Sequence, residues 1–93
     1  MSESKISDEV KAMISDRIER SPGEKIRVII SIREGVALDD IRDELTRMGL
    51  GIENMIPGPI QVITGSVSVK DISRLADVRD VEKIEYDGMV YAL

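Results

Sequence analysis

The chain has 93 residues, of which 42% are hydrophobic and 33% are charged, as expected for one small globular domain. It contains no cysteine and no histidine, which excludes disulfides, thiolate metal sites and catalysis by a histidine base. The net charge of -5 and the low aromatic content (only Tyr86 and Tyr91) argue against a nucleic-acid partner. We therefore expect a binding protein rather than an enzyme, with no cofactor and no metal.

The N-terminal residues show no apolar run of the kind found in signal peptides. No stretch approaches the ~20 apolar residues that a membrane helix needs. We expect a soluble chain with no membrane partner. It would be cytoplasmic as given, or secreted if it is a propeptide separated from its leader.

The first predicted element is a helix over Ser7–Arg20. Val10, Ile14 and Ile18 recur at intervals of four residues, which places them on one helical face. Ser7 is a suitable N-cap, and the Ser-Pro-Gly run that follows Arg20 ends the helix.

A strand and a second helix follow. Residues 25–33 alternate in polarity and are rich in β-branched side chains, which predicts a strand buried on one side. Residues 38–48 have an apolar stripe at helical spacing, and Gly49 suits the position just beyond a helix C-terminus.

The second half predicts a hairpin, a third helix and a last strand. The hairpin strands are Gly51–Ile56 and Ile60–Val67, separated by a Pro-Gly-Pro turn. Ser68 is expected to cap the third helix, with Asp71 completing a capping box. The last strand covers Val81–Tyr86.

After the first helix, the predicted order is strand, helix, strand, strand, helix, strand. This order predicts an α+β fold of the ferredoxin-like βαββαβ type, with an extra N-terminal helix. Right-handed crossovers would place two helices on one face of a four-stranded antiparallel sheet. The other face would remain open.

Strand alternation assigns side chains to the two faces. In the first and last strands, the residues expected to face outward are Arg27, Ile29, Ser31, Arg33, Lys83, Glu85 and Asp87. In the hairpin, Ile52, Ile56, Ile60 and Val62 are expected to face the helices, and Met55 and Ile63 to face outward. Such a face is either an ordinary surface with scattered apolar residues or a docking surface, and both interpretations stay open.

Two patterns resemble catalytic motifs, and each has a simpler explanation. Asp39 and Asp40 form a carboxylate pair, but they also suit the positive end of a helix dipole. Ser68 and Lys70 resemble a Ser-Lys dyad, but a cap and a solvated lysine account for them. We favour the structural explanation in both cases.

Two segments resemble the subtilisin-type propeptide inhibitor family. One is Val28–Gly35 with the helix that follows it to Gly49, and the other covers Gly65–Ser68 and continues to Ile84-Glu85-Tyr86-Asp87. The resemblance covers residues 25–93. It divides the chain into an N-terminal helical extension (1–24) and an inhibitor domain (25–93) with a C-terminal tail (88–93).

The resemblance implies an inhibitor of a subtilisin-like serine protease that also acts as an intramolecular chaperone. Such domains dock their open sheet face on two protease helices, and their tail lies in the substrate groove as a product. By position, Glu85 and Asp87 would receive the N-termini of those helices, and Ile29 and Ile63 would lie on the docking face. Leu93 would fill the primary specificity pocket, preceded along the groove by Ala92, Tyr91 and Val90.

A second hypothesis comes from a different functional class. Ferredoxin-like domains also serve as regulatory modules that pair edge to edge and bind a small ligand, since a fold does not fix a function. That hypothesis requires a stable homo-oligomer, whereas the inhibitor is expected to be a monomer when free.

Overall fold

The computed structural model of the protein describes residues 2–88, with side chains from residue 4 onward. Its elements, in chain order, are a 3₁₀ turn Ser2–Lys5, α1 Asp8–Arg17, β1 Lys25–Ile32, α2 Leu38–Arg47, β2 Gly51–Ile56, β3 Gln61–Ser68, a 3₁₀ turn Val69–Asp71, α3 Ile72–Ala76 and β4 Val81–Tyr86. The four strands form one antiparallel sheet in the order β2-β3-β1-β4. The α+β class with a four-stranded antiparallel sheet is therefore confirmed.

The inward side of β1 forms the centre of the core. Its alternate residues are almost completely inaccessible to solvent, as the period-two pattern predicts: Ile26, Val28, Ile30 and Ile32. The buried residues of α1, α2 and α3 belong to the same hydrophobic cluster. All three helices thus pack on the side of the sheet that β1 buries.

The hairpin strands alternate differently from the prediction. The pairing of β2 with β3 shifts between Ile52 and Asn54, which is a β-bulge. Beyond the bulge, Met55 pairs with Ile63, and Ile63 is completely buried. The predicted outward placement of Met55 and Ile63 is therefore wrong.

Ile56, Ile60 and Val62, which were predicted to face the helices, do not lie in the core. Ile56 pairs with Val62, and Val62 pairs with Ser31 on the outward side of β1. Ile60 precedes β3 and is 71% exposed. Their predicted inward placement is wrong. In β2 the bulge adds one residue, which moves Ile56 to the other face, whereas β3 alternates regularly and Val62 lies outward because its neighbour Ile63 faces the core.

Glycines permit the close approach of the two hairpin strands at the bulge. A Cβ on Gly65 would collide with the backbone carbonyl of Gly51. Only a residue without a side chain allows the strands to come this close.

The first helix is shorter than predicted and follows a 3₁₀ turn that the sequence pattern did not indicate. Ser7 is the N-cap, as predicted, and its hydroxyl accepts a hydrogen bond from the Val10 amide at 3.3 Å. Val10 is fully buried, whereas Ile18, the C-cap residue, is 38% exposed. In the segment before β1, Ile6 and Val10 belong to the common core, and Met13 and Ile14 pack against it.

The third helix also begins differently. Residues 69–71 form a 3₁₀ turn, and α3 has only five residues. The Ser68 hydroxyl makes no capping bond and donates instead to the Gly23 carbonyl at 3.4 Å. The predicted capping box is wrong, although the predicted inner face is buried as expected: Val69, Ile72, Leu75 and Ala76.

Within residues 2–88, no helix has the length and apolar character that would let it cross a lipid bilayer.

Candidate docking face

The sheet side turned away from the helices contains no buried residue. We call it the open face, and its members are Lys25, Arg27, Ile29, Ser31, Glu53, Asn54, Ile56, Val62, Thr64, Ser66, Lys83, Glu85 and Asp87. Every one of them is exposed or half-buried. The open face is therefore the side of the sheet whose side chains are accessible to a partner.

The strand registers fix the layout of the open face. Ile29 lies at its middle, between Thr64 on β3 and Glu85 on β4. One step along the strands, Ser31 lies between Val62 and Lys83. Ile29 and Val62 therefore lie near the centre of the face, with Glu85 and Lys83 beside them on β4.

A diagonal apolar strip crosses this face from β1 to β2. It consists of Ile29, Val62 and Ile56, of which Ile56 is 49% exposed. The sequence predicted Ile29 here but assigned Ile56 and Val62 to the core. Since Ile63 is completely buried, it cannot contact a partner, and Val62 takes the outward position beside it.

Glu85 and Asp87 both belong to the open face, as the alternation of the last strand predicts. Glu85 pairs with Ile29 across the β1–β4 ladder. The Asp87 amide donates to the Arg27 carbonyl at 2.9 Å, which continues the ladder one residue beyond β4. Because Glu85 and Asp87 are two residues apart on an extended chain, the points at which their side chains attach to the backbone are about 7 Å apart.

Glu85 lies close to a basic side chain of its own strand. Lys83 Nζ is 3.6 Å from Glu85 Oε2, and both side chains are roughly half exposed. On the neighbouring strand, Arg27 makes a 3.0 Å ion pair with Glu53. Exposed ion pairs of this kind contribute about 0–1 kcal/mol, so they are easily exchanged for contacts with a partner.

The chain leaves the sheet at Gly88, at the end of β4 that lies beside the start of β1. The predicted tail residues lie outside the described residues: Val90, Tyr91, Ala92 and Leu93. Their predicted contacts with a protease therefore stay predictions.

The N-terminal helix does not cover the open face. α1 contacts β4 and the 3₁₀ turn before α3, and it buries Val10 in the core on the helical side of the sheet. A shallow groove of about 250 Å³ between α1 and α3 is lined by Ile6, Lys11, Ile14, Ser15 and Ser73 and lies away from the open face. In the part of the chain that the structure describes, no group of three or more acidic residues is arranged to hold a metal ion.

No family model, curated protein or solved structure matches this chain.

The bulge makes a direct prediction about two neighbouring isoleucines. Ile63→Ala is expected to lower the free energy of unfolding by about 2–5 kcal/mol, because it leaves a cavity in the core. Ile56→Ala, its matched control on the open face, is expected to cost less than about 1 kcal/mol. Urea denaturation of both variants measures the difference, and similar losses would contradict the assignment of the two faces.

Proposed function

We propose that the protein inhibits a subtilisin-like serine protease by docking its open face on two protease helices and placing its C-terminal tail in the substrate groove. The observation that carries the proposal is the position of Glu85 and Asp87. Both carboxylates project from the last strand onto the same uncovered face, immediately before the chain continues into the tail.

We also propose a ferredoxin-like connectivity for the sheet. Counted from the opposite edge, the strand order is β4-β1-β3-β2. In this order β3 lies between β1 and β2, and β1 lies between β3 and β4. Each of α2 and α3 then connects two strands that have a third strand between them, which is the arrangement of split βαβ units.

Electrostatics favours two helix N-termini as partners for the acidic pair. The first turn of a helix presents unpaired amide groups and a partial positive charge. Neighbouring packed helices have their axes about 8–10 Å apart. Carboxylates about 7 Å apart on one strand can therefore each reach one helix N-terminus.

The apolar strip supplies the non-directional part of the interface. Ile29, Val62 and Ile56 lie beside the acidic positions, so the same partner surface can cover both sets of side chains. A specific complex of this kind is expected to bury about 1,600 Å² of surface in total. The largest contributions are expected from a few anchors, as is general for protein interfaces.

The tail would bind as a product. An extended segment can add a strand to the edge of a groove, with backbone hydrogen bonds for affinity and alternate side chains for specificity. Val90 and Leu93 are apolar anchors, and the carbonyl group of Leu93 would lie near the oxyanion hole.

The same binding would assist folding of the protease. A ligand that binds only the folded form stabilises it by mass action. The chaperone activity and the inhibition would then be two consequences of one interface.

The acidic pair can be tested by a double substitution. Glu85→Ala with Asp87→Ala is expected to raise the inhibition constant about tenfold, because each carboxylate contributes about 0.3–2 kcal/mol at a helix N-terminus. The free energy of unfolding should change little, since both groups lie at the surface. Inhibition is measured from hydrolysis of a peptide substrate by a subtilisin-like protease.

The matched control is Asp43→Ala with Asp77→Ala. These two exposed carboxylates lie on α2 and at the end of α3, on the opposite side of the domain. The control removes the same net charge and is expected to leave the inhibition constant unchanged. An equal effect of both double variants would reject the specific role of Glu85 and Asp87.

Removal of the last four residues tests the tail. A chain ending at Met89 should no longer block substrate hydrolysis, while its circular dichroism spectrum and unfolding midpoint stay those of the intact protein. Equal inhibition by the shortened chain would disprove the tail mechanism. If the intact chain inhibits no subtilisin-like protease at all, the proposed function itself is wrong.

The alternative regulatory module has one observation in its favour. Ile56 and Ile60, on either side of the Pro-Gly-Pro turn, are 49% and 71% exposed and could be covered by a second copy. Sedimentation velocity at the concentration of the inhibition assay distinguishes the two functions. We expect a monomer, and a stable dimer would favour the module.

A further inference from the structure

The strand that carries the acidic pair has a weak position in the sheet. β4 is an edge strand that pairs with β1 on one side, and its register shifts between Ser31 and Ile32. Edge strands present unpaired backbone groups and open more easily than central strands. The docking function of Glu85 and Asp87 therefore depends on what holds β4 closed.

The N-terminal segment contacts the outer edge of β4. Ile6 forms a parallel bridge with Ile84, and the Ser7 amide donates to the Ile84 carbonyl at 2.9 Å. Just before β4, Lys5 Nζ donates to the Val78 carbonyl at 3.0 Å. The edge of β4 that does not face β1 is thus bonded to the beginning of the chain.

Burial adds to these hydrogen bonds. Ile6 is 5% exposed and Val10 is fully buried, and both belong to the same cluster as Ile84. Ser7 links them, because its amide bonds to β4 and its hydroxyl caps α1. The bridge, the cap and the first turn of α1 therefore act on β4 together.

The other end of the segment is also fixed. The connection to β1 accepts backbone hydrogen bonds from the turn before α3: the Lys70 amide donates to the Pro22 carbonyl at 3.0 Å, and the Val69 amide to the Glu24 carbonyl at 2.9 Å. The segment is therefore attached to the inhibitor domain at both of its ends.

We propose that residues 5–10 are a clamp that keeps β4 closed and thereby lengthens the lifetime of inhibition, a consequence that rests on the proposed function. A protease cleaves chain segments that open, and the rate of cleavage follows the population of the open form when opening and closing are fast. Opening of β4 would expose the strand that joins the tail to the domain. The clamp reduces that population without itself contacting the protease.

The clamp is tested first on the free protein by amide hydrogen exchange. Ile6→Ala with Val10→Ala should speed exchange in β4 about tenfold or more, including the Asp87 amide, which is bonded to the Arg27 carbonyl. Amides shared by β2 and β3 should change less than about threefold. The control variant Ile18→Ala changes a residue of the same segment that lies outside the clamp. It should leave the exchange rates of β4 and of the β2–β3 amides unchanged.

An equal increase of the amide exchange rate in β4 and in the β2–β3 hairpin, or no increase in β4, would overturn the proposed clamp. Should the double variant fail to fold, Ser7→Ala serves in its place, because it removes the cap between the bridge and α1 while leaving the buried side chains. Ser7→Ala should also raise the exchange rate more in β4 than in the hairpin, although by a smaller factor. A uniform rise of the exchange rate across the sheet would again overturn the proposal.

The second measurement follows inhibition over time. With a subtilisin-like protease at equal concentration, the clamp variant should keep the initial inhibition constant within about threefold, since most molecules remain closed. Its inhibition should be lost about ten times sooner than that of the intact protein, in proportion to the larger open population. An unchanged lifetime would overturn the functional half of the proposal. If the intact protein inhibits no such protease, the proposed function fails, and hydrogen exchange still decides whether the clamp exists.

Discussion

The separation of the two sheet faces depends on β1. Its four inward isoleucine and valine side chains are buried against the helices, which leaves Arg27, Ile29 and Ser31 on the outward side. β1 is paired on both sides, so its orientation is transmitted to β3 and β4 through the registers. The outward direction of Glu85 follows from its pairing with Ile29, and not from any property of the acidic residue itself.

The elements with a clear period could be predicted from sequence, and the hairpin faces could not. β1 and β4 have the predicted inward side chains, and β1, β2 and β4 have nearly the predicted bounds, because alternation along one strand is a local signal. The bulge near Glu53 depends on the approach of two strands around Gly51 and Gly65, which no local pattern records. The sequence did contain one signal for the faces of β3. Val67 lies just before the predicted third helix, whose inner face is buried, and counting back from it in steps of two residues places Ile63 on the inward face.

The N-terminal segment shows a similar limit. Periodicity predicted α1 and its Ser7 cap, because capping and amphipathicity are local properties. It gave no indication that Ile6 pairs with the last strand of the sheet, 78 positions later in the chain. Ile6 lies before the helix, and a single isoleucine cannot form a periodic pattern that would predict its pairing.

The two edges of the sheet differ in ways that bear on how a partner would bind. The β4 edge is occupied at Ile84 by the N-terminal segment, and the β2 edge is interrupted by the bulge and ends at Ile56, just before Pro57. Bulges, prolines and covering segments all hinder the addition of a strand from another molecule. Edge-to-edge pairing of two copies is thus disfavoured at both sides. Face docking uses side chains that the fold already leaves exposed, so it requires no rearrangement of either edge.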